Sequence, residues 1–300
     1  MKTVLISGGS GMIGMALTKR LKDNGYAVHH LSREKGDISG VEIFKWDTNR
    51  QEIDLNAFAG VSTIVHLAGA GIADKRWTDA RKKELIDSRV ETAALIYKGL
   101  KLSGQAIDTF VSASGINYHG SKTTEHIYVE TDPPASSFIG ECCVKWEAAA
   151  DHFHTVGRVV KLRTGVVLAK DKGALKRIAA PVKLGFGAAL GQGDQYVPYI
   201  HIDDLVNLYI TAIENQEITG AYNASNGDHV TNETLTATLA KVLKKPYWMP
   251  NVPAFALKLA FGEMSEIVLE GSRASADKLK DTGFAFKHGD LEGALGELYS

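Results

Sequence analysis

Apolar residues follow two alternating rhythms along the first half of the chain. Lys2–Ser7 (KTVLIS) is a short β-branched apolar run, and Met12–Asn24 carries apolar residues at helical spacing and stops before Gly25. Ala27–Leu31 predicts a second strand, Val41–Trp46 a third and Val61–Leu67 a fourth. A long helical pattern covers Trp77–Leu102. Thr109–Ser112 predicts a fifth strand, Ser137–Phe153 a helix and Arg158–Arg163 a sixth strand. Strands alternating with helices predict a parallel, doubly wound α/β sheet.

Beyond about residue 165 the pattern loosens. Lys183–Gln195 (KLGFGAALGQGDQ) reads as a glycine-rich loop, and Asp203–Glu214 as a helix starting at paired aspartates. Thr231–Lys244 reads as a helix capped by Thr231 or Asn232. Prolines 246, 250 and 253 punctuate a connection, and Ala254–Ser300 is helical with a GFAFKHG turn. The expected division is a nucleotide-binding domain over 1–165 and a smaller, mixed substrate lobe over 166–300. Elements near 196–225 would return to the first domain.

Composition narrows the function classes. The chain has 300 residues, 44% hydrophobic and 23% charged, with a formal charge of −1. That suits a globular protein with a large core and gives no basic face for nucleic acid. No apolar run reaches the roughly 18 residues of a membrane helix. The two cysteines, Cys142 and Cys143, are adjacent. Such a pair offers neither a disulfide framework nor CxxC spacing, and a cytoplasmic protein is expected. The expected assembly is a monomer or homodimer.

The strongest chemical signal is Ser7-Gly8-Gly9-Ser10-Gly11-Met12-Ile13-Gly14. It follows the first strand, opens the first helix and fits G-x-G-x-x-G. Glycines permit the tight turn, the close approach of backbone to a pyrophosphate, and helix packing on the strand. The second strand ends Leu31-Ser32-Arg33-Glu34. Ser32 and Arg33 suit the 2′-phosphate of NADP, because guanidinium binds phosphate through forked, charge-assisted bonds. If Glu34 faced the ribose instead, NAD would be selected.

GGSGMIG, HLAGAGI (66–72), VSASG (111–115), KLRTGVVL (161–168) and YIHIDDL (199–205) stand in an order that resembles extended short-chain dehydrogenase/reductases. The segment 262–295 is similar to the tail of an atypical subgroup labelled nucleoside-diphosphate-sugar epimerase-like. The resemblance implies a Rossmann sheet with the cofactor, NADP (NADPH), across its carboxyl edge. It implies that Gly8, Gly11, Met12, Ile13 and Gly14 hold the pyrophosphate and that Arg33 takes the 2′-phosphate. It further implies Asp47 near the adenine, Leu67, Ala68 and Gly69 lining the cofactor, and residues 162–166 passing near the nicotinamide.

Typical members of that family use an Asn, a Ser and a Tyr-x-x-x-Lys pair. The lysine orients the ribose and lowers the tyrosine pKa, and the tyrosine moves the hydroxyl proton. Here the serine corresponds to Ser114 and the asparagine position to Arg89. Counting back from Glu147 puts Ile139 and Cys143 where the pair should stand; no tyrosine lies between Tyr128 and Tyr196. The candidates left for chemistry are Ser114, Tyr118, Cys143 as a thiolate base, and Arg89, which equally fits the cofactor ribose. Cys142 reads as packing. His201, Asp203 and Asp204 at a strand–helix junction read as capping residues; no metal site is expected. Two functions remain open. One is an oxidoreductase or epimerase acting on a small hydroxyl or carbonyl compound, such as a nucleotide sugar. The other is a non-catalytic NADPH-binding sensor or interaction protein.

Overall fold

The computed structural model describes residues 2–34 and 36–300. In chain order the elements begin β1 (Thr3–Ser7), α1 (Met12–Asp23), β2 (Ala27–Ser32), β3 (Glu42–Asp47), β4 (Glu52–Ile53) and β5 (Val61–His66). There follow α2 (Asp79–Ser103), β6 (Thr109–Gly115), β7 (Ile127–Tyr128), α3 (Phe138–Asp151), β8 (Arg158–Thr164) and β9 (Val166–Leu168). The second half comprises α4 (Gly173–Lys183), β10 (Tyr199–His201), α5 (Ile202–Glu214), β11 (Gly220–Ala224), α6 (Asn232–Val242) and α7 (Ala254–Phe261). The chain closes with α8 (Glu266–Leu269), β12 (Arg273–Ala274), α9 (Asp277–Lys280) and α10 (Leu291–Tyr299).

Eight strands form one sheet in the order β11-β8-β6-β5-β1-β2-β3-β4, parallel except for β4. The order reverses between β1 and β5, the point where doubly wound sheets bind ligands. All five residues of β1 are buried, as a strand covered on both faces requires. Period-two alternation sorts them. Val4 and Ile6 pack with Leu17 and Leu21 of α1 and with Leu205, Leu208 and Tyr209 of α5. Leu5 packs on the other face with Ala93, Ile96 and Leu100 of α2 and Ala150 of α3. A third core joins α4, α6 and α10 in the second half of the chain.

The expected parallel, doubly wound sheet is present, with boundaries close to those read from the sequence. The fifth predicted strand is longer than expected: β6 runs to Gly115 and carries Ser114 into the sheet opposite Arg163 of β8. Helix α4 was not anticipated. Its leading Gly173 and its Pro181 read as breakers, yet Leu175, Ala179 and Val182 line one buried stripe. The paired short strands β7–β12 and β9–β10 also escaped the sequence pattern. Segments of two or three residues carry no readable period; partners distant in the chain define them. Thr231, rather than Asn232, caps α6, accepting from the Thr234 amide.

Candidate functional site: the carboxyl edge of the sheet

The glycine loop is a tight turn closed by the Gly11 amide donating to Gly8 O at 3.0 Å. Gly8 has φ +73°, and a Cβ there would stand 2.8 Å from the Ala68 nitrogen. A Cβ at Gly14 would stand 2.5 Å from Gly8 O, so the loop lies directly on the first turn of α1. A Cβ at Gly9 would run into the ring of His30. Helix α1 follows Gly11 at its N-cap, without a side-chain cap or an acidic residue in its first turn, whereas Thr78 caps α2 and Ser137 caps α3. The orphan amides of α1 are therefore left for an anion.

Buried histidines fix the switch point. Ser7 Oγ lies 2.7 Å from His66 Nδ1, joining β1 to β5, and Thr18 Oγ1 lies 2.8 Å from His30 Nε2. Burial pushes both rings down to about 4, so both are neutral at pH 7.

At the far end of this edge, a cleft of about 440 Å³ is lined by Arg33, Trp46, Asp47 and Thr48, with Asp87, Ser88 and Glu91 of α2 opposite. Arg33 lines it and Glu34 does not. Asp47 accepts from the amides of Asn49 and Arg50 at 3.0 and 3.1 Å, which shapes the turn after β3. A cleft of about 510 Å³ near Lys22, Tyr26 and Glu42 sits at the opposite, amino end of β2 and β3, away from the glycine loop.

At the other end, Ser114 lies in a buried polar network. Ser114 Oγ donates to Glu147 Oε1 at 2.8 Å. Arg163 grips the same carboxylate with Nε to Oε1 at 2.8 Å and Nη2 to Oε2 at 3.0 Å. Its Nη1 reaches His119 Nε2 at 3.1 Å, and its guanidinium lies 3.5 Å from the centre of the Tyr118 ring. Burial, aided by Arg163, pushes His119 down to about 4. In the sequence, Glu147 serves only to fix the count to 139 and 143, and Arg163 lies in the stretch 162–166 that the resemblance sets near the nicotinamide; neither reading pairs the two. Their adjacency arises because β6 and β8 pair and α3 lies across them.

Ile139 and Cys143 are buried, and Ile139 packs with Trp77, Leu85 and Met264. The wall at this position is apolar. Burial first, then Cys142 and Glu147, pushes the Cys143 thiol up to about 12. A thiolate base at Cys143 does not fit that environment: the group stays protonated at neutral pH. Both cysteines are free. Arg89 is buried and donates to Leu85 O at 2.7 Å and Ala70 O at 3.1 Å, with its guanidinium 4.7 Å from the Trp146 ring. It has no carboxylate partner among the described residues. Burial lowers its pKa, since an unpaired buried cation is poorly solvated. The structure thus joins Ser114 and Tyr118 through Arg163 and Glu147. It places Arg89 of α2 against Trp146 of α3, leaves Cys143 buried on α3, and sets Gly69 against the Arg89 side chain. His201, Asp203 and Asp204 stand apart, at the start of α5.

This is the framework of a dinucleotide-binding protein of the extended short-chain dehydrogenase/reductase type. Residues 4–225 match the NAD dependent epimerase/dehydratase family, and residues 252–298 match a domain of unknown function, DUF1731. The chain belongs to that epimerase/dehydratase family. It is 32% identical over 299 residues to the human epimerase family protein SDR39U1, covering 98% of this chain and 99% of the relative. Similarity to the Mycobacterium bovis epimerase family protein Mb2239 is 34% over 295 residues, 98% and 96% of the two chains. Human SDR39U1 crystallised with NADPH superposes with a TM-score of 0.88, at 29% identity over 99% of each chain. A nucleoside-diphosphate sugar epimerase from Corynebacterium glutamicum gives 0.79 at 27% identity, covering 99% of this chain and 58% of the other. Thermus thermophilus UDP-glucose 4-epimerase, solved with NAD, gives 0.79 at 21% identity and shares the fold. Among the described residues no helix is long and apolar enough to cross a membrane.

Proposed function

We propose that this protein binds NADP(H) along the carboxyl edge and acts as an oxidoreductase or epimerase on a small hydroxyl or carbonyl compound. The glycine cradle, the uncapped start of α1 and Arg33 in the outer cleft support the cofactor reading. So does the NADPH in the human relative's crystal structure. When bound, the cofactor supplies or accepts a hydride at its nicotinamide. The observation that carries the reaction is Arg89, a buried cation with no counter-ion among the described residues, beside the loop after β5. Its fixed charge would orient a ribose or stabilise negative charge on a substrate oxygen. Tyr118, half-buried on Arg163, is the proton donor in this reading, and Ser114, whose own proton goes to Glu147, accepts from a substrate hydroxyl. The name of the Corynebacterium relative makes a nucleotide sugar the first substrate to try. Two free thiols support a cytoplasmic setting.

One observation favours a second reading, a non-catalytic NADPH-binding protein. Ile139 and Cys143 form an apolar wall where a base would be needed. The experiment is a fluorescence titration with NADPH, followed by turnover over a panel of carbonyl compounds and nucleotide sugars. The enzyme reading requires turnover that Tyr118→Phe lowers in kcat with NADPH affinity unchanged. Tight NADPH binding without turnover would establish the second reading, and absence of NADPH binding would overturn both.

A further inference from the structure

Two segments far apart in the chain share an unusual composition. Residues 172–193 and 241–261 each hold four basic residues and no Asp or Glu, in a chain whose 34 basic and 35 acidic residues balance. The same segments carry Leu184, Phe186, Trp248, Phe255 and Leu259, which are between 58% and 78% exposed. Single exposed apolar side chains are ordinary, but five large ones gathered among charges of one sign mark a binding surface.

The fold brings the two segments together. Val252 bonds the backbone of the loop after α4 in both directions, donating to Ala189 O at 2.8 Å and accepting from the Gly191 amide at 2.9 Å. A Cβ at Gly185 would stand 3.7 Å from Pro246, and one at Gly187 3.7 Å from the Tyr247 ring. Tyr247 and Val182 pack into the core beneath, which leaves their neighbours Trp248 and Leu184 facing outward. On α7, Phe255 and Leu259 stand one turn apart on one exposed face, while Leu257 is buried. The loop after β5 ties both helices to one side of the molecule. Arg177 of α4 bonds Asp74 at 3.1 Å, and Arg76 bonds Leu259 O at 3.2 Å.

Charge selects the occupant. Arg177, Lys183 and Lys241 are paired with Asp74, Asp171 and Glu292. Lys172, Lys176, Lys244, Lys245 and Lys258 have no carboxylate partner among the described residues. We propose that this face docks on a bilayer surface containing anionic lipid, with Trp248, Phe255 and Leu259 entering the headgroup boundary and the lysines meeting phosphates. Aromatic and aliphatic tips ringed by lysine suit that boundary, where the apolar part leaves water and the ammonium stays in it. A second copy of this chain would bring like charges face to face. Leu184 and Leu259 offer no π-face to a nucleic-acid base.

The test is co-sedimentation of untagged full-length protein with vesicles of phosphatidylcholine alone and of phosphatidylcholine with phosphatidylglycerol. Binding should require phosphatidylglycerol and weaken as salt rises. Tryptophan emission should shift to the blue and be quenched by lipids brominated in the acyl chain. Trp46 and Trp77 are buried, so Trp248→Phe should remove most of that response. Lys244→Glu/Lys245→Glu should lower partitioning at least about tenfold, and Phe255→Ser/Leu259→Ser at least about tenfold. These side chains are exposed, so melting temperature and NADPH affinity should stay at parental values. The proposal falls if the parent ignores phosphatidylglycerol vesicles at low salt, if either double variant binds as the parent does, or if adsorption occurs without quenching by brominated chains. It also falls if the parent self-associates, or binds a single-stranded oligonucleotide, through these residues and leaves the vesicles in solution.

Discussion

Replacing Glu147 by Gln strands the charge of Arg163 in the interior. Glu147 and Arg163 are 5% and 3% exposed, and their two bonds of 2.8 and 3.0 Å carry almost all of the pairing. Lys161 stands 3.7 Å from Glu147 but bonds Asp151 at 2.8 Å, so it cannot replace the lost partner. Removing one member of a buried pair costs about 3–5 kcal/mol. Unfolding entropy is about 2.1 cal/mol/K per residue, so 300 residues give about 0.63 kcal/mol/K. The melting midpoint should therefore fall by about 5–8 °C. Differential scanning fluorimetry reads this directly. The companion variant Glu147→Leu/Arg163→Met removes both charges and should melt above Glu147→Gln, since no buried ion is left alone. A Glu147→Gln midpoint within about 2 °C of the parent, or a double variant that melts below it, would refute the reasoning.

Gly14→Ala puts a Cβ 2.5 Å from Gly8 O, so the loop must lift off α1; NADPH affinity in a fluorescence titration should drop at least about tenfold. Equal affinity would show that the cradle is not where the pyrophosphate sits. Arg33→Ala should weaken NADPH by about tenfold or more while leaving NADH unchanged, because only NADPH offers a 2′-phosphate to a guanidinium. A parallel loss for both cofactors would contradict this. His30, His66 and His119 are each depressed from 6.5 to about 4, chiefly by burial. The unfolded chain takes up these protons first as pH falls. Stability present at pH 7 is thus lost between about pH 6.5 and 4, at up to about 1.4 kcal/mol per pH unit for each ring. Urea midpoints that stay flat across that window would be inconsistent with neutral buried rings.

Local patterning determined much of this protein. Apolar spacing over Thr3–Ser7 and Met12–Asp23, with glycines at 8, 11 and 14, requires a strand, a tight turn and an uncapped helix in sequence. Those are short-range constraints of backbone sterics and periodicity, so the sheet, the loop and the cofactor edge follow from residues near one another in the chain. The absence of a tyrosine and a lysine at 139 and 143 is likewise a property of the sequence itself. Tertiary structure decided which polar groups meet beside those positions. Glu147 and Arg163 meet only because parallel pairing sets Ser114 opposite Arg163 while α3 crosses the same strands. Burial, a property of the packed state, turns Cys143 from a candidate base into a protonated thiol and lowers the pKa of Arg89. His288 comes to face His201 because Asp204 binds the backbone of a segment at the far end of the chain. Pairings of this kind depend on long-range closure, whose partners have no fixed spacing in the sequence and so leave no local pattern to read.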